Sequence, residues 1–255
     1  MSRVGYGVTL CAAIVALYGC GGGDGGGSPS SQAPAPSLAA QGIYGGITSA
    51  GSQISGLVLE TGEYYFFYAN GDILDGVVHG NLSCSGATCT SAGKDYSLIT
   101  RSVIGAAVSA SYTEKASLSG SVQENGTTVN FSSTYDPTYD APIPLTSLAG
   151  QYSGTSAAGT GTSFVALTIS ANGDFSGSSP GTSGVCTFYG SMTPRATGKN
   201  VLNVTVTFNG SACALGTATA SGYAVPVISN GKVRLYTAGL LPDQSDGFIA
   251  LAQKS

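Results

Sequence analysis

Residues 202–210 read Leu-Asn-Val-Thr-Val-Thr-Phe-Asn-Gly. Leu202, Val204, Val206 and Phe208 are apolar, and Asn203, Thr205 and Thr207 between them are polar. Successive side chains of an extended chain point to opposite faces, so the stretch predicts a strand with one face in a core and the other in water. The Asn-Gly that closes it readily takes the positive φ angles of a tight hairpin. Val165, Leu167 and Ile169 repeat the alternation, and Asn-Gly recurs at 70, 125, 172 and 230, in most cases between such runs. Charged residues are only 9% of the chain while glycine reaches 39 of 255, a composition poor for helices and good for strands and turns. The expected fold class is therefore all-β, built from antiparallel meanders.

The two halves echo each other. Gly42-Ile43-Tyr44-Gly45-Gly46 matches Gly150-Gln151-Tyr152-Ser153-Gly154, and Gly62-Glu63-Tyr64 sits like Gly173-Asp174-Phe175. Late in each half an Asn-Gly precedes an apolar strand, Asn125-Gly126 before Val129 and Phe131, Asn230-Gly231 before Val233 and Leu235. Between the halves Pro137, Pro142 and Pro144 forbid interior strand pairing. The reading is an internal repeat: a first β unit with its linker over 42–144 and a second over 145–255. Each is long enough for a small barrel or, alternatively, a sandwich. A barrel is preferred because closure removes exposed edges, and few charges are available to blunt them.

At the N-terminus, Arg3 precedes an apolar run from Val4 to Tyr18, which is shorter than the roughly 20 residues that cross a bilayer. Leu17-Tyr18-Gly19-Cys20 then leads into Gly21-Gly22-Gly23. This segment resembles the signal peptide and lipobox of bacterial lipoproteins. The resemblance implies that residues 1–19 are a signal peptide, that Cys20 carries the lipid attachment, and that 20–41 is a disordered Gly/Ser/Pro tether. Gly21 rather than aspartate after the cysteine implies the outer membrane, with the protein held there as a cell-envelope lipoprotein. A Gly-x-aromatic start followed by a meander is similar in architecture to lipocalin, avidin and the barrel lobes of transferrin-binding lipoproteins. The glycine tether, with the turn Pro194-Arg195-Ala196-Thr197-Gly198-Lys199-Asn200-Val201, resembles uncharacterised two-part outer-membrane β lipoproteins. That likeness implies place and fold, and no activity.

Four cysteines remain beyond Cys11 and Cys20: Cys84, Cys89, Cys186 and Cys213. Three pairings are possible. Disulfides Cys84–Cys89 and Cys186–Cys213 are favoured because each stays inside its own half, and an oxidising compartment favours disulfides over a metal. The net charge of −4 with so few charges argues against nucleic acid. His79 is the only histidine and no Gly-x-Ser-x-Gly elbow accompanies it, so no catalytic residues, metal or cofactor are assigned. Asp72 and Asp75 with Asn70 and Gly76 depart from the spacing of a calcium loop. Arg195 and Lys199 are expected as solvated turn charges, with anion binding the sharper alternative.

The unusual local feature is Tyr64-Tyr65-Phe66-Phe67-Tyr68. In a strand Tyr64, Phe66 and Tyr68 face one way, Tyr65 and Phe67 the other. If the first set fills a barrel, Tyr65 and Phe67 must meet the second unit or form a binding surface for a protein, glycan or lipid ligand. The functional expectation is a non-catalytic binding or structural role at the envelope, with the membrane as partner through the N-terminal lipid. Its alternatives are a small-molecule carrier with a ligand cavity inside a barrel, and an envelope hydrolase using convergent carboxylates. Cavity size separates a carrier from a filled structural barrel.

Overall fold

The computed structural model describes residues 38–71, 73–158, 161–229 and 231–255. Cys20, Asp72 and Asn230 lie outside them. The first half holds β1 (Gly42–Thr48), β2 (Gln53–Val58), β3 (Glu63–Asn70), β4 (Ile73–Asn81), β5 (Ser83–Ser85), β6 (Thr88–Ser97), β7 (Ser102–Thr113), β8 (Ser117–Glu124) and β9 (Thr127–Asp136). The second holds β10 (Gly150–Ala158), β11 (Gly161–Ile169), β12 (Asp174–Gly181), β13 (Gly184–Pro194), β14 (Leu202–Asn209), β15 (Thr219–Ser229), β16 (Lys232–Leu240) and β17 (Gly247–Lys254). Each half is a closed antiparallel barrel of eight strands. In the first, β6 pairs β4 to complete the ring, while β5 is a short extra strand lying on the other end of β6. Cys84 stands opposite Cys89 in that hairpin and is disulfide-bonded to it, and Cys186 is bonded to Cys213.

The strand quoted first, β14, puts Leu202, Val204, Val206 and Phe208 into the core of the second barrel. Asn203, Thr205 and Thr207 take the outer face. Apolar inside and polar outside is the reverse of the order in a membrane-spanning barrel.

Both barrels are sealed at one end by the same device. The hydroxyl of Tyr44 donates to the carbonyl of Ala40 at 2.9 Å, and that of Tyr152 to the carbonyl of Leu148 at 2.8 Å. Each bond draws the segment before the first strand across the barrel base. Leu38 and Ala40 thereby pack on the first core, and Leu145 and Leu148 on the second. The following base turns also match, for Gly62 and Gly173 hold φ of +90° and +89°. A Cβ on either would strike a carbonyl oxygen, of Leu82 or of Met192, so only glycine closes these turns without distortion.

The third sequence echo does not hold. Asn125-Gly126 joins the seventh and eighth strands of the first barrel, whereas the turn before Gly231 joins the sixth and seventh of the second. A hairpin dipeptide specifies a tight turn and not its place in the meander, so Gly126 and Gly231 lie at opposite ends of their barrels.

The barrels pack side by side through two apolar seams. One joins Tyr65, Phe67, Val77 and Tyr96 to Ala238, Leu240 and Ile249; the other joins Ile43, Leu57 and Leu59 to Val201 and Val225. Polar contacts border them. Arg195 donates to both carboxylate oxygens of Glu60, and Tyr223 donates to Glu63 at 2.8 Å.

Candidate functional site

Tyr64 and Phe66 lie in the first barrel's core with Tyr68 packed on it, so β3 is phased as its alternation requires. Tyr65 and Phe67 are 2% and 7% exposed, and they pack on the second barrel. The Tyr65 ring meets Tyr223 edge-on at 5.7 Å, and Phe67 meets Tyr236 at 6.4 Å. Both faces of β3 are therefore covered, which is why five consecutive aromatic residues are accommodated. Tyr65 and Phe67 have no free surface to offer a ligand.

Other singled-out residues are absorbed by the same interface. His79 is 3% exposed, with Nδ1 3.0 Å from the carbonyl oxygen of Tyr64 and its ring 4.5 Å from that of Tyr65. Burial lowers its pKa, so it is a neutral packed ring. The expectation of solvated charges at 195 and 199 is corrected. Arg195 is the inner half of an ion pair with Glu60 and stacks over Tyr223, and Lys199 pairs with Asp140 of the linker. Burial opposes ionisation of Glu60, but the Arg195 fork outweighs it and holds the carboxyl below its ordinary range. Asn200 completes the clamp, donating to the carbonyl of Pro226 and accepting from the linker amide of Ile143. The turn 194–201 thus ties linker to barrels and leaves no anion site.

What remains open is the interior of each barrel. The second encloses a cavity of about 270 Å³ whose walls include Val165, Phe175, Phe188, Met192, Val204, Leu235 and Phe248. Its mouth lies between Ala158, Gly161, Pro180, Thr182 and Ala214, at the end opposite the Tyr152 seal. The first encloses about 380 Å³ between Ile54, Phe66, Val78, Val122, Val129 and Phe131, and its mouth is ringed by Thr48, Ala50, Thr100 and Asn125. The two mouths share one side of the molecule, since Leu98–Val103 of the first rim and Ser245–Phe248 of the second line a common crevice. Leu38 enters at the other side, its amide bonded to the carbonyl of Glu60.

The two interiors differ in chemistry. The second combines apolar walls with the hydroxyls of Ser156, Ser163, Ser179 and Thr237, and no charged side chain is among its described lining residues. The first carries Asp95, 3% exposed, on the same wall as the apolar side chains. The Tyr68 hydroxyl donates to both carboxyl oxygens at 2.9 and 3.0 Å. Burial, reinforced by the nearby charge of Glu124, raises the Asp95 pKa to about 7, against which the Tyr68 bond acts. Burial raises Glu124 as well, at the cavity rim. Burial and the facing Asp95 carboxylate also push the Tyr68 phenol well above its ordinary range. These two carboxyl groups share a pocket whose walls include Ile54, Phe66, Val78 and Phe131, with Ser52, Ser97 and Thr127 also lining it. Sequence reasoning did not single out Asp95 or Glu124. The alternation of β6 held the signal: Asp95 shares a face with Cys89 and Ser97, whereas Lys94 and Tyr96 point outward.

No family model matches the sequence, and no curated protein matches it. Two solved structures are similar. One is a candidate outer membrane protein from Bacteroides fragilis, 12% identical, with 84% of this chain and 95% of that chain covered at a TM-score of 0.25. The other is intact Ap-TbpB with its N and C lobes, 6% identical, with 80% and 66% covered, also at 0.25. At that score neither bears on fold or function.

Proposed function

We propose that this chain is a lipid-anchored cell-envelope protein that carries small apolar ligands in its barrels. The observation that carries the reading is the cavity of the second barrel, walled by apolar side chains and open at one end only, where a structural barrel would be filled. At about 30 Å³ for each water-sized group, it has room for roughly nine non-hydrogen atoms of a guest. The lipobox at Cys20 supports the anchoring.

Native mass spectrometry of the full chain, purified from its own membranes, tests both parts. The expected spectrum shows a chain beginning at Cys20, heavier by the mass of its acyl groups, with a further noncovalent adduct of small mass. Ala250→Phe places a ring in the second cavity and should remove that adduct while leaving the acylated mass. A chain that retains residues 1–19, or one that carries no adduct in any preparation, would contradict the reading.

A further inference from the structure

The first cavity offers a ligand something the second does not. Its polar side chains sit toward the mouth: Glu124 ends β8 beside the turn to β9, and Tyr68 lies two residues from the end of β3. Asp95 faces them from β6. Apolar side chains share the wall with them: Ile54 is paired with Tyr68 and Val78 with Asp95 on neighbouring strands, and Phe66 and Phe131 complete it. The Tyr68 proton is already given to Asp95, so among the described residues the charged groups lining the cavity are the carboxyls of Asp95 and Glu124, and the nearby lysine, Lys94, points outward to the carbonyl of Gln244. A ligand that matches this arrangement has an apolar tail and a head that donates hydrogen bonds and carries positive charge.

Building on the carrier reading above, we infer that the first barrel is a site for alkylammonium-type amphiphiles, with the tail against Phe66 and Phe131 and the ammonium group held at the mouth by Asp95 and Glu124. A cationic head favours the ionised form of both carboxyls. The site therefore strengthens as pH rises through the Asp95 midpoint and is lost in acid, where Asp95 and Glu124 take up protons and Tyr68, the other titratable group facing them, stays neutral.

The test is calorimetric titration of the full chain in zwitterionic nanodiscs, with empty discs subtracted. The probes are octylammonium and octanol, which share a tail and differ in the head. At about pH 8 octylammonium should bind at least tenfold more tightly than octanol. In Asp95→Asn the ratio should fall to about twofold or less, in Glu124→Gln to an intermediate value, and in wild type it should collapse near pH 5. Val122→Phe, which fills the cavity, should abolish binding of both probes. Equal affinities in wild type, a preference that survives Asp95→Asn, or no binding of either probe would overturn the inference. The adduct in the second barrel is read independently by mass spectrometry and its Ala250→Phe control, so failure of this site and failure of the carrier reading are separate results.

Discussion

Asp95 shows what one buried carboxyl does to the whole molecule. Its ordinary pKa is 3.8 and its folded value about 7, so between those limits the folded state binds a proton that the unfolded state has lost. Stability therefore falls as pH rises through this window and levels off above it, a loss of roughly 4 kcal/mol at the upper end. His79 acts with the opposite sign. Its folded pKa is lowered, so stability falls as pH drops below about 6.5 and the unfolded chain gains a proton that the buried ring refuses. Because His79 is common to both proteins, the difference between wild type and Asp95→Asn isolates the carboxyl. Asp95→Asn should melt several degrees above wild type at pH 8, with the gap narrowing steadily as pH falls and closing near pH 4; parallel curves would show that Asp95 is not buried as described. The sequence hid this residue because Lys94-Asp95-Tyr96 has the look of a surface turn. Gly93 and Ala92 before it give no alternation from which to read the phase of the strand.

At the scale of elements, β3 was legible and its partner was not. Alternation alone divided Tyr64, Phe66 and Tyr68 from Tyr65 and Phe67, since that follows from strand geometry whatever the fold. Which surface would cover Tyr65 and Phe67 depended on β15, β16 and β17, more than 150 residues away in the chain, and no local pattern encodes that. Replacing both with serine removes two buried aromatic side chains from the seam, a loss of about 3 to 6 kcal/mol by area. The expected outcome is a lower melting temperature and faster proteolysis within the linker, which Tyr139 and Asn200 hold through the backbone bond between them. An unchanged melt would mean that the barrels do not depend on this seam. The turn 194–201 was equally recognisable as a motif and equally silent about its task. Its arginine, lysine and asparagine each reach a partner far along the chain, Glu60, Asp140 and Pro226.

The whole molecule is two barrels of one construction set side by side, sealed at a common base and open on a common side. Its β class and the matching Gly-x-Tyr starts could be read from residues, because period-two alternation and glycine turns are local. The cavities could not, because they depend on how far inward-facing side chains reach across a closed ring. Small residues such as Ser156, Ala250 and Ala252 on one wall leave the second barrel's interior unfilled. That these spaces admit apolar guests is the centre of the account. Xenon, which enters dry apolar cavities, tests it most directly through diffraction from crystals held under the gas. The account predicts xenon density inside the second barrel among Phe175, Met192 and Phe248, and in the first among Ile54, Phe66 and Phe131. Interiors packed by their own side chains, with no xenon in either, would contradict it.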